Sequence, residues 1–168
     1  MKLRWLGAAL LFFSLRLDAT IVERLDMDGL VASSHTIVAG TVEVSETRWT
    51  PDRRVIVTQT RIRVDESFKG TPGDELVVTT LGGTIDGITL YVAGMPTFEE
   101  NEEAVVFVEG DGPYRTVVGL AQGKFHIEAG MVANDLSDLE FPGGVSGAGT
   151  RMTFEAFREE IRNRINPF

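Results

Sequence analysis

Residues 81–127 decide the fold of this chain and read LGGTIDGITLYVAGMPTFEENEEAVVFVEGDGPYRTVVGLAQGKFHI. Short apolar runs alternate here with turn residues, and no window keeps the 3.6-residue period of a helix over about ten residues. The runs cover residues 88–93, 104–108, 114–120 and 124–127, and the turns around them carry Asp86-Gly87, residues 94–103, Asp111-Gly112-Pro113 and Gln122-Gly123. Runs rich in β-branched residues and bounded by such turns are typical of strands. The stretch therefore predicts a β-meander.

Strands are also predicted on both sides of the meander, at residues 36–45, 55–68, 75–81 and 131–133. Gly40 interrupts the apolar side of the first of these strands, which indicates a bulge, a sharp coil or a close backbone approach. In the long second strand, apolar residues alternate with Gln59, Arg61 and Arg63, so one face of the sheet is expected to be solvated. The run 104–108 is apolar on both faces and is expected to lie centrally or beneath a helix.

Two helices complete the predicted elements. Asp26 and Asp28 favour the first turn of a short helix over residues 26–33, because carboxylates at this position interact with free backbone amides. Thr153 is suited to cap a closing helix with one apolar stripe. The residues of that stripe are Phe154, Phe157, Ile161 and Ile165.

The predicted fold is mainly β: a small Greek-key barrel of the OB type, with a short N-terminal helix before it and a C-terminal amphipathic helix after it. An open sandwich is the alternative. The length fits a single domain. The predicted segments are residues 1–19 as a signal peptide, 20–135 as the β-barrel domain, 136–152 as a flexible glycine-rich loop, and 153–168 as the C-terminal helix packed on the barrel.

The N-terminal segment has the organisation of a signal peptide. Lys2 and Arg4 precede the apolar run 5–15, and Leu17-Asp18-Ala19 provides an imperfect cleavage site. The apolar run is shorter than the roughly 20 residues that a spanning helix needs, which disfavours an uncleaved membrane anchor. The expected location is therefore secreted or periplasmic, with no stable membrane insertion after cleavage.

Charge and cysteine content exclude several classes of function. The formal net charge is -9, and removal of residues 1–19 takes away three basic and one acidic residue, which leaves 13 − 24 = −11. An acidic chain repels phosphate backbones, so nucleic acid is not an expected partner. The chain contains no cysteine, which excludes disulfides, thiolate catalysis, cysteine-bound zinc and a lipoprotein anchor.

The sequence carries no recognisable catalytic, cofactor or metal motif. His35 and His126 lack a metal-binding spacing, and Asp26-x-Asp28-Gly29 lacks the remaining ligands of a calcium loop. The acidic residues 99–103 are expected to form a solvated turn rather than a calcium site. Asp65-Glu66 lies on a predicted strand, where adjacent side chains point to opposite faces. We therefore expect no enzyme, no cofactor and no metal site.

The candidate interaction residues lie in two loops, residues 94–103 and 119–124. In the second loop, glycines bracket Leu-Ala-Gln, and an unusual turn there is suited to offer Gln122 and Lys124 to a partner. The alternative interpretation is a bulged corner of the barrel with Phe125 buried. The candidates are Pro96, Phe98, Glu99, Glu100, Gln122 and Lys124.

Several segments of the chain resemble a group of uncharacterised secreted bacterial proteins. They are residues 34–42 (SHTIVAGTV), 64–70 (VDESFKG), 82–84 (GGT) and 118–125 (VGLAQGKF). The resemblance covers most of the mature chain and implies a compact β-barrel in the envelope or outside the cell, with no activity to carry over. More distantly, the layout is similar to the OB-type barrels of netrin-like and tissue metalloproteinase-inhibitor domains. Those inhibitors place an N-terminal cysteine on the catalytic zinc of the peptidase, and this chain has no cysteine.

The function that these observations favour is a secreted or periplasmic, non-enzymatic binding module whose partner is another extracytoplasmic protein. The first alternative is an inhibitor or accessory protein of a secreted peptidase, which the distant resemblance suggests. The second alternative is a hydrolase that uses unrecognised carboxylates, which would require two acidic side chains to meet in one pocket.

Overall fold

The computed structural model describes residues 22–112, 114–143, 145–147 and 149–166. It is mainly β with one short helix near the N-terminus and one helix at the C-terminus, as the sequence predicts. The predicted signal peptide lies outside the described residues. The helices are α1 (Met27–Ser33) and α2 (Phe154–Ile165), and a 3₁₀ turn covers Leu120–Gly123. The strands are β1 (Thr36–Trp49), β2 (Ile56–Lys69), β3 (Glu75–Leu81), β4 (Gly83–Ile85), β5 (Ile88–Leu90), β6 (Glu103–Glu109), β7 (Thr116–Val117), β8 (Lys124–Glu128), β9 (Met131–Ala133), β10 (Glu140–Phe141), β11 (Val145–Ser146) and β12 (Arg151–Thr153).

Strand β6 lies at the centre of the largest sheet. The strand order is β12-β9-β8-β6-β1-β2-β3, and β7 is an additional partner of β6. All of these pairings are antiparallel. Residues 104–108 are buried without interruption, which confirms the prediction of a strand that is apolar on both faces. The pairs β4–β5 and β10–β11 form two small separate sheets.

The predicted closed barrel is wrong, because the sheet remains open. The pairing of β1 with β2 contains three register shifts, one of them between Ala39 and Gly40, and such bulges bend and twist a sheet. To close the sheet into a barrel, one strand would have to pair with both β3 and β6. The predicted run 114–120 supplies only the two residues of β7 for this purpose. A backbone hydrogen bond of 2.7 Å joins Thr79 N–H to the carbonyl of Arg115, but no ladder forms between β3 and β7.

The curled sheet separates two apolar clusters. The outer cluster packs α1 and α2 against one face of β6, and the ring centroids of Phe107, Phe125 and Phe157 lie 4.6–6.2 Å apart in it. The inner cluster fills the opposite, concave face. It contains Val38, Val42, Ile62, Leu76, Val78, Ala104, Val106, Val108 and Val117. The prediction of one solvated face is therefore wrong for the centre of the sheet, although Arg61 and Arg63 of β2 are exposed as expected.

Both helices begin at the capping residues that the sequence predicts. The Asp26 carboxylate accepts the backbone N–H of Gly29 at 2.8 Å, and the Thr153 hydroxyl accepts the N–H of Ala156 at 3.3 Å. Phe157 of α2 is buried as predicted. In the part of the chain that the structure describes, no helix has the length and apolar character needed to cross a membrane.

Within the glycine-rich segment 136–152, several of the described residues pack against the rest of the protein. Leu136, Leu139 and Phe141 are buried together in a third apolar cluster, against which Val22 also packs. Asn134 fixes the far end of the segment, because its side-chain oxygen accepts the backbone N–H of Thr150 at 2.7 Å. The flexibility expected for this segment stays a prediction.

Candidate binding groove

An open groove of about 300 Å³ lies where β3 ends, next to the inner cluster. Strands β2 and β3 form one wall, the β4–β5 hairpin forms a second, and residues 91–98 form the third. Its apolar side chains are Leu81, Leu90, Tyr91, Val92, Met95, Pro96 and Phe98. We call this feature the apolar groove.

Two glycines place the β4–β5 hairpin at this position. Gly82 and Gly83 have φ of 106° and 124°, a backbone conformation that residues with a side chain rarely adopt. A Cβ atom at Gly83 would lie 2.6 Å from side-chain atoms of both Thr47 and Thr58. The glycine pair therefore lets the chain turn sharply after β3 and pack the hairpin closely on the β1–β2 ribbon. Because Gly83 pairs with Leu90 in the hairpin, this turn carries Leu90 into the wall of the groove.

Threonines line the wall that β2 and β3 form, but their hydroxyls are bonded within the protein. The hydroxyl of Thr60 lies 2.9 Å from that of Ser45, and the hydroxyl of Thr58 donates to the carbonyl of Gly82 at 2.8 Å. Thr80 donates to the carbonyl of Thr58 at 3.4 Å. Hydroxyls that are bonded inside the sheet add little polarity to the surface. This wall is therefore more apolar than its residue types suggest.

The rim of the apolar groove exposes large apolar side chains. Leu81 is 47% exposed and Tyr91 is 70% exposed. The Tyr91 hydroxyl donates to the Asp138 carboxylate at 3.0 Å, which holds the ring at the edge of the groove. This hydrogen bond, with the negative charge of Asp138, raises the pKa of Tyr91 because both favour the protonated phenol.

Lys124 holds Thr97 and Phe98 of the third wall in place. Its ammonium group donates to the carbonyl of Thr97 at 2.7 Å and lies 2.6 Å from a carboxylate oxygen of Glu102. The same ammonium lies 5.0 Å from the centroid of the Phe98 ring, within the range of a cation–π contact. The Lys124 and Glu102 side chains are only 17% and 16% exposed, so the pair is well shielded from water.

Residues 99–103, which we call the acidic turn, continue directly from the groove wall. Backbone hydrogen bonds of 2.9 Å from Asn101 N–H to Val42 and of 2.8 Å from Val42 N–H to Glu102 hold the turn on β1. Glu99 and Glu100 are exposed, and within the described ranges no ion pair reaches either carboxylate. The same ranges contain no cluster of acidic or histidine side chains that could hold a metal ion.

The structure brings five of the six predicted interaction residues together and separates the sixth. Pro96 and Phe98 line the apolar groove, Glu99 and Glu100 lie in the acidic turn, and Lys124 supports both. Gln122 lies elsewhere in the fold. It is 2% exposed, and its amide is bonded to backbone groups inside the protein.

The loop that contains Gln122 follows the alternative interpretation of the sequence. Gly119 adopts a left-handed conformation with φ of 63°, and the 3₁₀ turn leads directly into β8. Phe125 is 1% exposed in the outer cluster. The loop is therefore a corner with Phe125 buried, rather than a surface that presents Gln122.

Sequence reasoning missed Leu81 and Tyr91 because both fall within predicted strands. A signal was present in the closely spaced glycines. Gly82-Gly83 and the Asp86-Gly87 turn leave room for a hairpin of only a few residues. Such a hairpin ends too early to cover either side chain.

A second cleft, of about 360 Å³, lies between the N-terminal segment and α2. Most of its polar groups already have partners within the protein. Arg164 contacts the carboxylates of Asp28 and Glu160 at 2.6 and 3.1 Å, and the Asn134 amide donates to the carbonyl of Gln122 at 3.2 Å. The apolar groove is therefore the better candidate for a binding site.

Carboxylates do not meet in the apolar groove. Adjacent Asp65 and Glu66 point to opposite faces of β2, as predicted, since Asp65 pairs with Arg63 of the same strand and Glu66 forms an ion pair with Arg158 of α2. Comparison with protein-family models, with curated proteins and with solved structures gave no match. The relationships to secreted bacterial proteins and to netrin-like or inhibitor domains stay predictions.

Proposed function

We propose that this chain is a secreted or periplasmic binding module that takes an apolar side chain of a partner protein into the apolar groove. The observation that carries the proposal is the exposure of Leu81 and Tyr91 beside a concave apolar surface. Concave sites lined by apolar and aromatic side chains are typical of ligand binding, and grouped exposed apolar residues are typical of protein contacts. The signal-peptide organisation of residues 1–19 supports the location.

A side chain of a protein fits the groove better than a larger free ligand. Its volume of about 300 Å³ lies at the lower end of the roughly 300–1,000 Å³ that small-molecule sites occupy. The hydroxyls of Thr58 and Thr60 are bonded within the protein, so they are poorly placed to orient a polar ligand. Aromatic residues and methionine, here Tyr91, Phe98 and Met95, are enriched at protein interfaces.

The proposal is tested with two labelled peptides that differ in one residue. Each is a glycine-serine peptide with a central phenylalanine or, in the control peptide, a central serine. Full burial of a phenylalanine side chain stabilises a complex by about 1.5–3 kcal/mol, so we expect roughly 10-fold to 100-fold tighter binding of the phenylalanine peptide. Fluorescence anisotropy gives the affinities. NMR titration of the isotope-labelled protein is expected to place the shifted amides around the apolar groove.

Two matched protein variants separate the groove from general hydrophobicity. The groove variant is Leu81→Ser with Tyr91→Ser, and the control is Ile88→Ser with Tyr114→Ser, in which the native residues are 53% and 61% exposed and do not line the groove. The groove variant is expected to bind both peptides equally, whereas the control keeps the preference for phenylalanine. Equal loss in both variants, or no preference in the native protein, contradicts the proposal.

A further inference from the structure

We infer that the partner segment carries lysine or arginine residues next to its apolar side chain, and that these bind the acidic turn. This inference rests on the proposed function, because it assumes that an apolar side chain occupies the groove. It names the chemistry of the partner: an apolar residue flanked by positive charge, rather than an apolar residue in a neutral or acidic segment.

The chain itself connects the two surfaces. Phe98 lines the apolar groove, and Glu99, the next residue, begins the acidic turn. Thr97 lines the groove and also the open depression beside the acidic turn. A segment that places one side chain in the groove therefore passes within a few residues of the carboxylates.

Most of the negative charge of the acidic turn has no ion-pair partner among the described residues, because only Glu102 is paired. Lys124 and His126 are the basic side chains among the described residues that line the groove and the depression beside it, and Lys124 is already bonded to Glu102 and to the carbonyl of Thr97. The three exposed carboxylates of Glu99, Glu100 and Glu103 have no ion pair among the described residues. A partner with positive charge complements this surface, and a partner with negative charge is repelled.

The carboxylates of the acidic turn do not converge on one point, so separate lysine or arginine side chains fit this surface better than a single metal ion. Among the described residues no three acidic or histidine side chains are grouped as a metal ion would require. The protein as a whole carries a net charge of -9, so its long-range field also attracts a basic segment. Exposed ion pairs are individually weak, and about three of them together change the dissociation constant by roughly 10-fold.

Four peptides test the inference and separate it from the proposed function. They combine a central phenylalanine or serine with flanking lysines or glutamates, and anisotropy is measured in about 50 mM and about 500 mM sodium chloride. We expect the phenylalanine-lysine peptide to bind roughly 10-fold tighter than the phenylalanine-glutamate peptide at low salt, with most of this difference lost at high salt.

A charge-matched pair of variants locates the effect. Glu99→Gln with Glu100→Gln is expected to remove most of the preference for lysine, whereas Glu43→Gln with Glu159→Gln makes the same change in net charge at exposed sites outside the groove and keeps the preference. Equal binding of the lysine and glutamate peptides with phenylalanine overturns this inference and leaves the proposed function standing. An equal loss of the lysine preference in the two variants likewise overturns this inference alone. Equal binding of the phenylalanine and serine peptides overturns both.

Discussion

The side-chain oxygen of Gln122 accepts the backbone N–H of Leu25 at 2.8 Å, across 97 positions of the sequence. The amide nitrogen of Gln122 donates to the carbonyls of Glu23 and Gly119 at 3.1 Å each. Through these hydrogen bonds, one buried side chain holds the N-terminal segment against the 3₁₀ turn before the chain enters α1. Leu25 itself packs against the outer cluster. Gln122 therefore connects the start of the described chain to the core.

Replacement of Gln122 by leucine is expected to lower the free energy of unfolding by about 2–3 kcal/mol, because the Leu25 N–H and the Glu23 carbonyl both lose a hydrogen-bond partner at a partly buried position. Urea unfolding followed by tryptophan fluorescence gives the value. The matched control is Gln59→Leu, which removes a single 3.3 Å hydrogen bond from a half-buried side chain. We expect this control to cost about 0.5–1 kcal/mol. Equal losses in the two variants contradict a structural role of the Gln122 amide.

Gly40 is required by a close approach of two strands. A Cβ atom at this position would overlap the carbonyl oxygen of Arg63 and lie 2.8 Å from the Cγ2 atom of Ile62. Gly40→Ala is therefore expected to destabilise the protein by about 3 kcal/mol, the upper part of the usual range for overpacking. The control is Gly112→Ala, where no atom lies within 4 Å of the added methyl group and the midpoint of thermal unfolding is expected to stay nearly unchanged. A stable Gly40→Ala variant would show that β1 and β2 can move apart.

The elements of this fold were predictable where the signal is local. β3 coincides with the predicted strand, and Asp26 and Thr153 cap the helices as expected. A run of five apolar residues, such as 104–108, indicates a strand that is buried on both faces, even when its neighbouring strands are not known. These features depend on residues that are close in sequence.

Closure of the sheet was not predictable, because it depends on contacts between distant residues. The apolar run 114–120 has the composition of a strand, yet only Thr116–Val117 pairs with β6. The curl of the sheet decides whether the other residues of this run pair with β3. The register shifts of β1 set that curl. In the same way, sequence alone does not tell whether a polar residue in a glycine-bracketed turn points outward. Gln122 points inward because the N-terminal segment supplies its partners.

The hydrogen bond between Tyr91 and Asp138 predicts a measurable pH dependence. Because it raises the pKa of Tyr91, its contribution to stability is present below the ordinary tyrosine pKa of about 10 and is lost as the pH rises through the higher value of the folded protein. Tyr91 and Tyr114 are the two tyrosines of the chain. In a Tyr114→Phe background, the phenolate absorbance therefore reports on Tyr91 alone.

Asp138→Asn in that background is expected to shift the Tyr91 titration to lower pH, because the neutral amide removes the negative charge that opposes ionisation. Asp74→Asn is the control, since Asp74 is exposed and does not line the groove. An unchanged titration in Asp138→Asn would mean that the hydrogen bond does not persist in solution.

Glu66 of β2 anchors α2 through two arginines. Its carboxylate oxygens lie 3.0 Å from Arg158 Nε and 2.6 Å from Arg162 Nη2, and its side chain is only 24% exposed. Glu66→Gln is expected to cost about 1–2 kcal/mol, more than a typical surface ion pair, because the hydrogen bond from Arg162 and the ion pair with the partly buried Arg158 both lose their negative charge. Urea unfolding measures the loss, and helical circular dichroism shows whether α2 frays.

The control for Glu66 is Glu75→Gln, which removes an exposed pair with Arg61 at 3.6 Å and is expected to change stability by about 0.5 kcal/mol or less. A double-mutant cycle with Arg158→Gln isolates the coupling between Glu66 and Arg158, which we expect to be about 1 kcal/mol. The coupling should shrink only slightly in high salt, because the pair is partly shielded from water. A coupling near zero would mean that apolar packing of Phe157 and Ile161, rather than this ion pair, holds α2 on the sheet.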